Sequence, residues 1–294
     1  VTLDIMLPFY GRFDHFREAV TSVLNQSDPD WRLIIIDDVY PDPAPGEWAQ
    51  ALGDERIAYI RNTENLRPSR NYNKAIGLME ADFAVIMGCD DIMLPEYVAR
   101  VRELTTSFPE ASVIQPGVEV IDGEGAVYEP LADRIKARIR FDGYGARSFA
   151  GEELVTSLLR GNWTYFPSLV WNVKELKSRS FRTDLDVVQD LSMLLSIFFA
   201  GGSLVLDDTI VFQYRRHATS LSAKTGPDGS KFIQERTVFA EAAEEATKHG
   251  WSRARRAART RFTSRANALS ELPSALKARS MPATRSLSRH IFGS

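Results

Sequence analysis

The sequence is poor in the groups that usually announce a reactive or structural centre. It has one cysteine, Cys89, in 294 residues, which excludes an internal disulfide and a thiolate-rich zinc site. Its four histidines, His15, His217, His249 and His290, are scattered, with no HExxH or paired spacing. No apolar run approaches the ~18 residues that a membrane-spanning helix needs, and no secretory leader is recognised. A cytoplasmic enzyme is the expectation. Glycine-rich phosphate cradles are missing too: LPFYGRF stands where a GxGxxG would follow the first strand, and GxxxxGK(S/T) occurs nowhere. A phosphorylated ligand would therefore be held by a metal and by side chains such as Arg67, Arg70 and Lys74.

What the sequence does have is an ordinary soluble composition, 44% hydrophobic and 26% charged. Its length suits one large α/β domain or a domain with an appendage. Net charge is −3, but unevenly placed. Residues 251–294 carry ten Arg or Lys against the single acid Glu271, a net +9 that leaves −12 on the rest. Apolar Trp251, Ala254, Ala258 and Phe262 recur there at helical spacing, which predicts one or two amphipathic helices packed on the acidic body. Contact with a membrane surface or association between copies through this tail stays open; a nucleic-acid partner is not expected.

Residues 1–112 alternate strand and helix patterns, as a parallel sheet with crossover helices requires. Strands are predicted at 1–7, 31–36, 57–60 and 83–87, and helices at 12–24, 48–52, 69–79 and 95–104. Beyond 113 the order becomes mixed. Strands are expected at 113–121, 168–172, 204–206 and 210–214, and helices at 151–159, 187–199 and 233–249. Residues 130–145 read as an irregular loop, and 223–230 as turn chemistry.

Two of the predicted strands end in paired carboxylates, IIIDDVYPD with Asp37 and Asp38, and IMGCDDIMLP with Asp90 and Asp91. Ligands of open α/β sheets bind at the carboxyl ends of strands. Carboxylates gathered there suit a hard divalent cation such as Mg²⁺ or Mn²⁺ that bridges to phosphates. Capping of the next helix accounts for one of these acids at most.

The segments LPFYGRFDHFREAVTSVLNQSDPDWRLIIIDD, NTENLRPSRNYNKAIG, IMGCDDIMLPEY, QDLSMLLSIFFAGG and YRRHATSLS stand in the order and approximate spacing of family 2 glycosyltransferases. The chain resembles that family over residues 1–222. The resemblance implies a GT-A fold: a Rossmann-like mixed sheet flanked by helices, with a nucleotide-binding half (1–112), an acceptor half (113–222) and a basic helical extension (223–294).

It also implies a nucleotide-sugar donor, UDP or dTDP favoured, and a hydroxyl acceptor that is a saccharide, a lipid-linked sugar or a small molecule. Pro8, Phe9 and Tyr10 would line the nucleotide pocket, Asp37 or Asp38 would read the base, and Arg70 and Asn71 would lie near base and ribose. The family's Asp-x-Asp aligns with Gly88-Cys89-Asp90, so its first acid is missing here. Asp90 keeps the metal-ligand position, with Asp91 beside it and His217 as a further ligand, for Mn²⁺ or Mg²⁺. Arg215 or Arg216 would neutralise phosphate charge, and Ser220 would order the same loop.

Gln189-Asp190 resembles the family's Glu-Asp pair, making Asp190 the general base for an inverting transfer. Its neighbours Asp184 and Asp186 are set aside on the alignment alone. Among the aromatic residues of GNWTYFPS, Trp163 is expected at the acceptor wall. Rival readings are a non-catalytic sugar-nucleotide-binding relative, suggested by Gly88 and Gln189, and a sugar-phosphate nucleotidyltransferase, which the first-strand loop disfavours.

Overall fold

A computed structural model describes residues 3–141, 143–217 and 229–293. Ser220 and most of the 223–230 turn lie outside the described residues.

The first half follows from continuous apolar strands that must be covered on both faces. Strands β1 (Leu3–Phe9), β2 (Trp31–Asp37), β3 (Ile57–Arg61) and β4 (Phe83–Ile86) run parallel in the order β3-β2-β1-β4. Helices α1 (Phe13–Leu24), α2 (Ala44–Ala51) and α3 (Arg67–Leu78) connect them. Successive side chains point to opposite faces. Met6, Ile34, Ile36 and Ile86 therefore join one core, while Ile5, Leu7, Ile35 and Val85 join the other. Phe9 pairs with Asp37 and Asp37 with Arg61, so these strand ends lie level along one edge of the sheet.

The sheet then becomes mixed, as expected. Its order continues through β8 (Val170–Asn172), β6 (Val113–Ile121), β9 (Ser203–Arg215) and β5 (Ile92–Met93), with β7 (Arg147–Ala150) also paired to β9. Helices α4 (Tyr97–Ser107), α5 (Leu131–Ile139), α6 (Gly151–Arg160), α7 (Val173–Lys177) and α8 (Gln189–Phe199) surround it.

Three expectations are corrected. Residues 130–145 contain helix α5 rather than being irregular throughout. The two short strands at 204–206 and 210–214 are one strand, β9, whose register against β6 shifts at Gly117. A Cβ on Gly117 would come within 2.5 Å of the Thr209 backbone, so glycine permits this close approach. The basic tail holds three helices rather than one or two.

Helix α9 (Ser230–Lys248) precedes those three: α10 (Ser252–Thr260), α11 (Phe262–Lys277) and α12 (Met281–Phe292). Arg261 breaks α10 from α11 with a left-handed φ of 47°. Ala254, Ala257 and Ala258 of α10 bury into the larger core. Glu152 at the start of α6 accepts from the Arg253 and Ala254 amides, satisfying donors that a helix start leaves open. Phe232, Ala268, Ala275, Ala283 and Leu287 form a smaller core among α9, α11 and α12. Among the described residues, no helix is long and apolar enough to cross a membrane.

Candidate active site

The edge beyond β4 carries Gly88-Cys89-Asp90-Asp91. Asp91 is 1% exposed. Its Oδ1 accepts from the Arg215 amide at 2.8 Å, and its Oδ2 is buried without a partner among the described residues. A Cβ at Gly88 would lie 2.2 Å from that Oδ2. The carboxyl of Asp91 thus occupies the space that the missing side chain leaves. Burial, and then the charge of Asp90, hold the Asp91 carboxyl well above the usual carboxylate range. Asp91, expected as a metal ligand, is instead a packed and anchored part of the loop. Burial likewise pushes the Cys89 thiol up to about 12, leaving it without thiolate character.

Asp90 is the carboxylate that solvent reaches, at 29% side-chain exposure, and its Oδ2 is 2.6 Å from His217 Nε2. Among the described residues no cluster of three or more His, Cys, Asp or Glu is arranged to hold a metal. Asp90 and His217 do offer one carboxylate and one imidazole side by side at a strand end. A carboxylate and an imidazole are both donor types that divalent cations take.

Arg215, expected at phosphate charge, is consumed by the protein. It is 2% exposed and donates to Asp90 O at 2.7 Å, to Asp122 O and Gly123 O at 3.3 Å, and to Glu18 Oε2 at 2.5 Å. It clamps α1 and the 122–123 turn onto the Asp90 loop. Arg216 points its guanidinium elsewhere, onto Asp133 of α5 at 2.9 Å.

At the end of β2, both carboxylates expected to read a base are engaged within the protein. Asp37 accepts from the Tyr40 amide at 2.7 Å and from Tyr59 Oη and Arg61 Nη1 at 2.5 Å. Asp38 accepts from the Leu66 and Arg67 amides at 2.7 and 2.9 Å and from Asn62 Nδ2 at 2.7 Å, which caps the start of α3. Asn62 also donates to Asn71 Oδ1 at 3.1 Å and accepts from Lys74 at 2.6 Å. Asn71 therefore belongs to this buried chain, while Arg70 on the same helix is exposed. Phe9 is fully buried against Phe16 and Tyr40, with ring centroids 4.2 and 4.9 Å away, so it is core rather than pocket lining. Pro8 is half-buried. Tyr10, 55% exposed and edge-on to Tyr40, is the aromatic face this edge presents.

Asp190 opens α8, and the approach to it is held from two sides. Ser69 Oγ and Asn73 of α3 bond Leu185 O and the Phe181 backbone at 2.7 to 2.8 Å. From α9, Gln234 Oε1 accepts from the Asp186 and Val187 amides at 2.9 and 3.2 Å. Asp190 Oδ2 accepts from Asn162 Nδ2 at 3.0 Å. Burial raises the Asp190 pKa, opposed by the Leu191 amide, Asn162 and the charge of Lys136. A carboxylate with a raised pKa and a fixed orientation is suited to accept a proton.

Several neighbours of the site were missed in the sequence. Tyr72 packs its ring against Phe166 and Phe181, with centroids 5.1 and 5.4 Å away, and its phenol pKa is raised chiefly by burial. Trp163, expected at an acceptor wall, is fully buried, and its Nε1 donates to Ser157 Oγ at 3.0 Å. Its flanking residues face the site instead: Asn162 holds Asp190, and Thr164 Oγ1 donates to Asn162 Oδ1 at 2.7 Å. Alternation along an extended segment was the available signal.

Residues 4–172 match the family described as glycosyl transferase family 2. An uncharacterized glycosyltransferase of Methanocaldococcus jannaschii is 22% identical over 203 residues, covering 68% of this chain and 66% of that protein. Against relatives from Bacillus subtilis and Escherichia coli the chain spans only 36% and 39% of their lengths. Among solved structures, S. aureus TarS 1–349 in complex with UDP-GlcNAc matches with a TM-score of 0.70 at 15% identity, covering 99% of this chain and 82% of that one. The mannosyltransferase PcManGT from Pyrobaculum calidifontis, in complex with GDP-Man and Mn²⁺, matches at 0.61 and 13%, covering 98% and 84%. These likenesses identify the architecture as the GT-A fold. With more than half of its length matched by the family, the chain belongs to glycosyl transferase family 2.

Proposed function

We propose that the protein is an inverting, metal-dependent glycosyltransferase that moves a sugar from a nucleoside-diphosphate sugar to an acceptor hydroxyl. The observation that carries this reading is the presence of two unlike acidic centres at the end of β4 and the start of α8. Asp90 with His217 forms one, and Asp190, held by Asn162 with a raised pKa, forms the other. Unlike environments that separate the properties of two acids are what a divided chemical task requires.

Asp90 and His217 would hold a divalent cation, which would supply positive charge against the leaving diphosphate. Asp190 accepts the proton of the acceptor hydroxyl as its oxygen bonds to the anomeric carbon. The bond from that carbon to the diphosphate oxygen breaks on the opposite face, so the configuration inverts. Tyr10 and Tyr40 offer aromatic faces for the base. The UDP-GlcNAc and GDP-Man complexes of the structural neighbours support a nucleotide-sugar donor, and UDP or dTDP is the donor class we favour.

Thermal-shift titration with UDP, dTDP, GDP and CDP, with and without Mn²⁺, tests the donor half, because a ligand of the folded state raises apparent stability. One nucleotide should shift the wild type in a Mn²⁺-dependent way, and Asp90→Asn should abolish the metal dependence. Full transfer activity in both Asp90→Asn and Asp190→Asn would overturn the reading.

A further inference from the structure

Helix α5 brings a further cation, Lys136, against the 162–164 segment that holds Asp190. Lys136 is half-buried, and its one hydrogen bond among the described residues is to Thr164 O, at 3.3 Å. The ammonium also sits 4.5 Å from the centroid of the Tyr165 ring. No carboxylate pairs with it among the described residues. The nearby acid that could, Asp133, is already shared by Arg216 at 2.9 Å and the Tyr165 hydroxyl at 2.8 Å. Lys231, which also acts on Lys136, leans toward Glu235 at 3.7 Å. Lys136 and Arg216 against Asp133 leave one positive charge in surplus.

That surplus lies beside the proton acceptor. Thr164, which holds Lys136, is two residues from Asn162, which holds Asp190, and the two side chains bond each other at 2.7 Å. Lys136 and Asp190 each act electrostatically on the other. Asp190 has to remain available as a base, so it is no permanent counter-ion. The diphosphate of a donor belongs to the Asp90 and His217 end. The surplus charge is therefore left to whatever carries the attacking hydroxyl.

We propose that Lys136, backed by Arg216, is an anion-binding subsite for the acceptor, and that the acceptor is a saccharide or polyol bearing a carboxylate or phosphate close to the attacked hydroxyl. This rests on the transferase reading above and names its acceptor class. An anion there would complete the hydrogen bonding of a half-buried ammonium, which burial and Arg216 lower to about 8 in its absence. A charged hydrogen bond of this kind is stronger than one to a neutral hydroxyl, so the subsite would discriminate by charge.

Isothermal titration of the whole chain tests this with two probe pairs, glucuronate against methyl glucoside and glycerol 3-phosphate against glycerol. The wild type is expected to prefer the anionic member of at least one pair by about tenfold or more, and the responding pair distinguishes carboxylate from phosphate. Lys136→Met should abolish that preference and Lys136→Arg should keep most of it. Affinity for the nucleoside diphosphate that binds the wild type should be unchanged in both variants, which also certifies their folding. No preference in the wild type, or a preference that survives in Lys136→Met while the nucleotide still binds, would overturn the subsite. A wild type that binds no nucleoside diphosphate would instead overturn the transferase reading beneath it.

Discussion

Restoring the acid that the Asp-x-Asp motif lacks, by Gly88→Asp, looks like a repair; the structure says it is damage. Any side chain at 88 puts a Cβ 2.2 Å from Asp91 Oδ2, 3.0 Å from Asp90 Oδ1 and 3.2 Å from Asp91 Cγ. Asp91 has to move by roughly an ångström to reach ordinary contact, and it has nowhere easy to go. Its other oxygen holds the Arg215 amide, and Arg215 in turn holds the Asp90 carbonyl, the 122–123 turn and Glu18.

Overpacking of this kind costs about 1–3 kcal/mol, and the lost hydrogen bond to Asp91 adds about 1 kcal/mol. Replacing glycine by alanine recovers about 0.4–1 kcal/mol through the unfolded chain. Gly88→Ala is therefore expected to lose about 2 kcal/mol, and Gly88→Asp more, because it sets a third carboxylate against Asp90 and Asp91. Urea unfolding followed by circular dichroism reads the stability change, and nucleotide titration with Mn²⁺ reads the site. The double variant Gly88→Ala with Asp91→Ser should be less damaged than the sum of its parts, since the two residues compete for one space. A Gly88→Ala protein as stable as wild type, with nucleotide binding intact, would refute the wedge.

Further outcomes follow from Asp190 and its mounting. The raised pKa of Asp190 places the acid limb of kcat/KM above the usual carboxylate range, because activity is lost as pH falls through the pKa of the group that must be ionised. Asp190→Asn should lower kcat by about 10²- to 10⁴-fold. The same raised pKa means that ionised Asp190 disfavours folding once pH rises through it, so Asp190→Asn should match or exceed wild-type stability at neutral pH by denaturant titration. A wild-type acid limb at ordinary carboxylate pH, with Asp190→Asn unfolding early, would contradict both statements. Gln234→Ala removes the acceptor of the Asp186 and Val187 amides and leaves Asp90, His217 and Asp190 themselves unaltered. It should lower kcat about tenfold while leaving nucleotide affinity unchanged, and steady-state kinetics beside calorimetry checks the split.

The strand-ending acids were readable because hydrophobic runs that stop at a carboxylate mark sheet edges, and Asp90 reaches solvent at such an edge. Which acids stay available was not readable, because availability depends on partners far away in sequence. Asp38 is occupied by amides 28 and 29 residues on, and Asp91 by an amide 124 residues on. Arg215 and Arg216 are indistinguishable in a list of cations, yet one is sealed into the loop and the other faces α5. Helix α5 carried its own signal in Leu131, Ile135 and Ile139, spaced four apart, but Pro130 before it and Gly143 and Gly145 after it drew attention to breaks. Trp163 has the aromatic face that suits an acceptor wall, but the residues reaching Asp190 are its smaller neighbours Asn162 and, through it, Thr164.

The last residue of strand β9 and the two that follow it serve three different parts of the molecule. Arg215 secures the Asp90 loop, Arg216 tethers α5, and His217 meets Asp90. The Asp90 loop, α5 and the Asp90–His217 pair are thus geared to a single shaft, since one residue of slippage along β9 would displace all three at once. Change has an easier route in the parts hung from that shaft. On the reading proposed above, the exposed face of α5 with Leu131 and Ile135 can be rewritten to suit a new acceptor while Asp90 and Asp190 keep their mounting, so the molecule separates what has to stay fixed from what is free to vary.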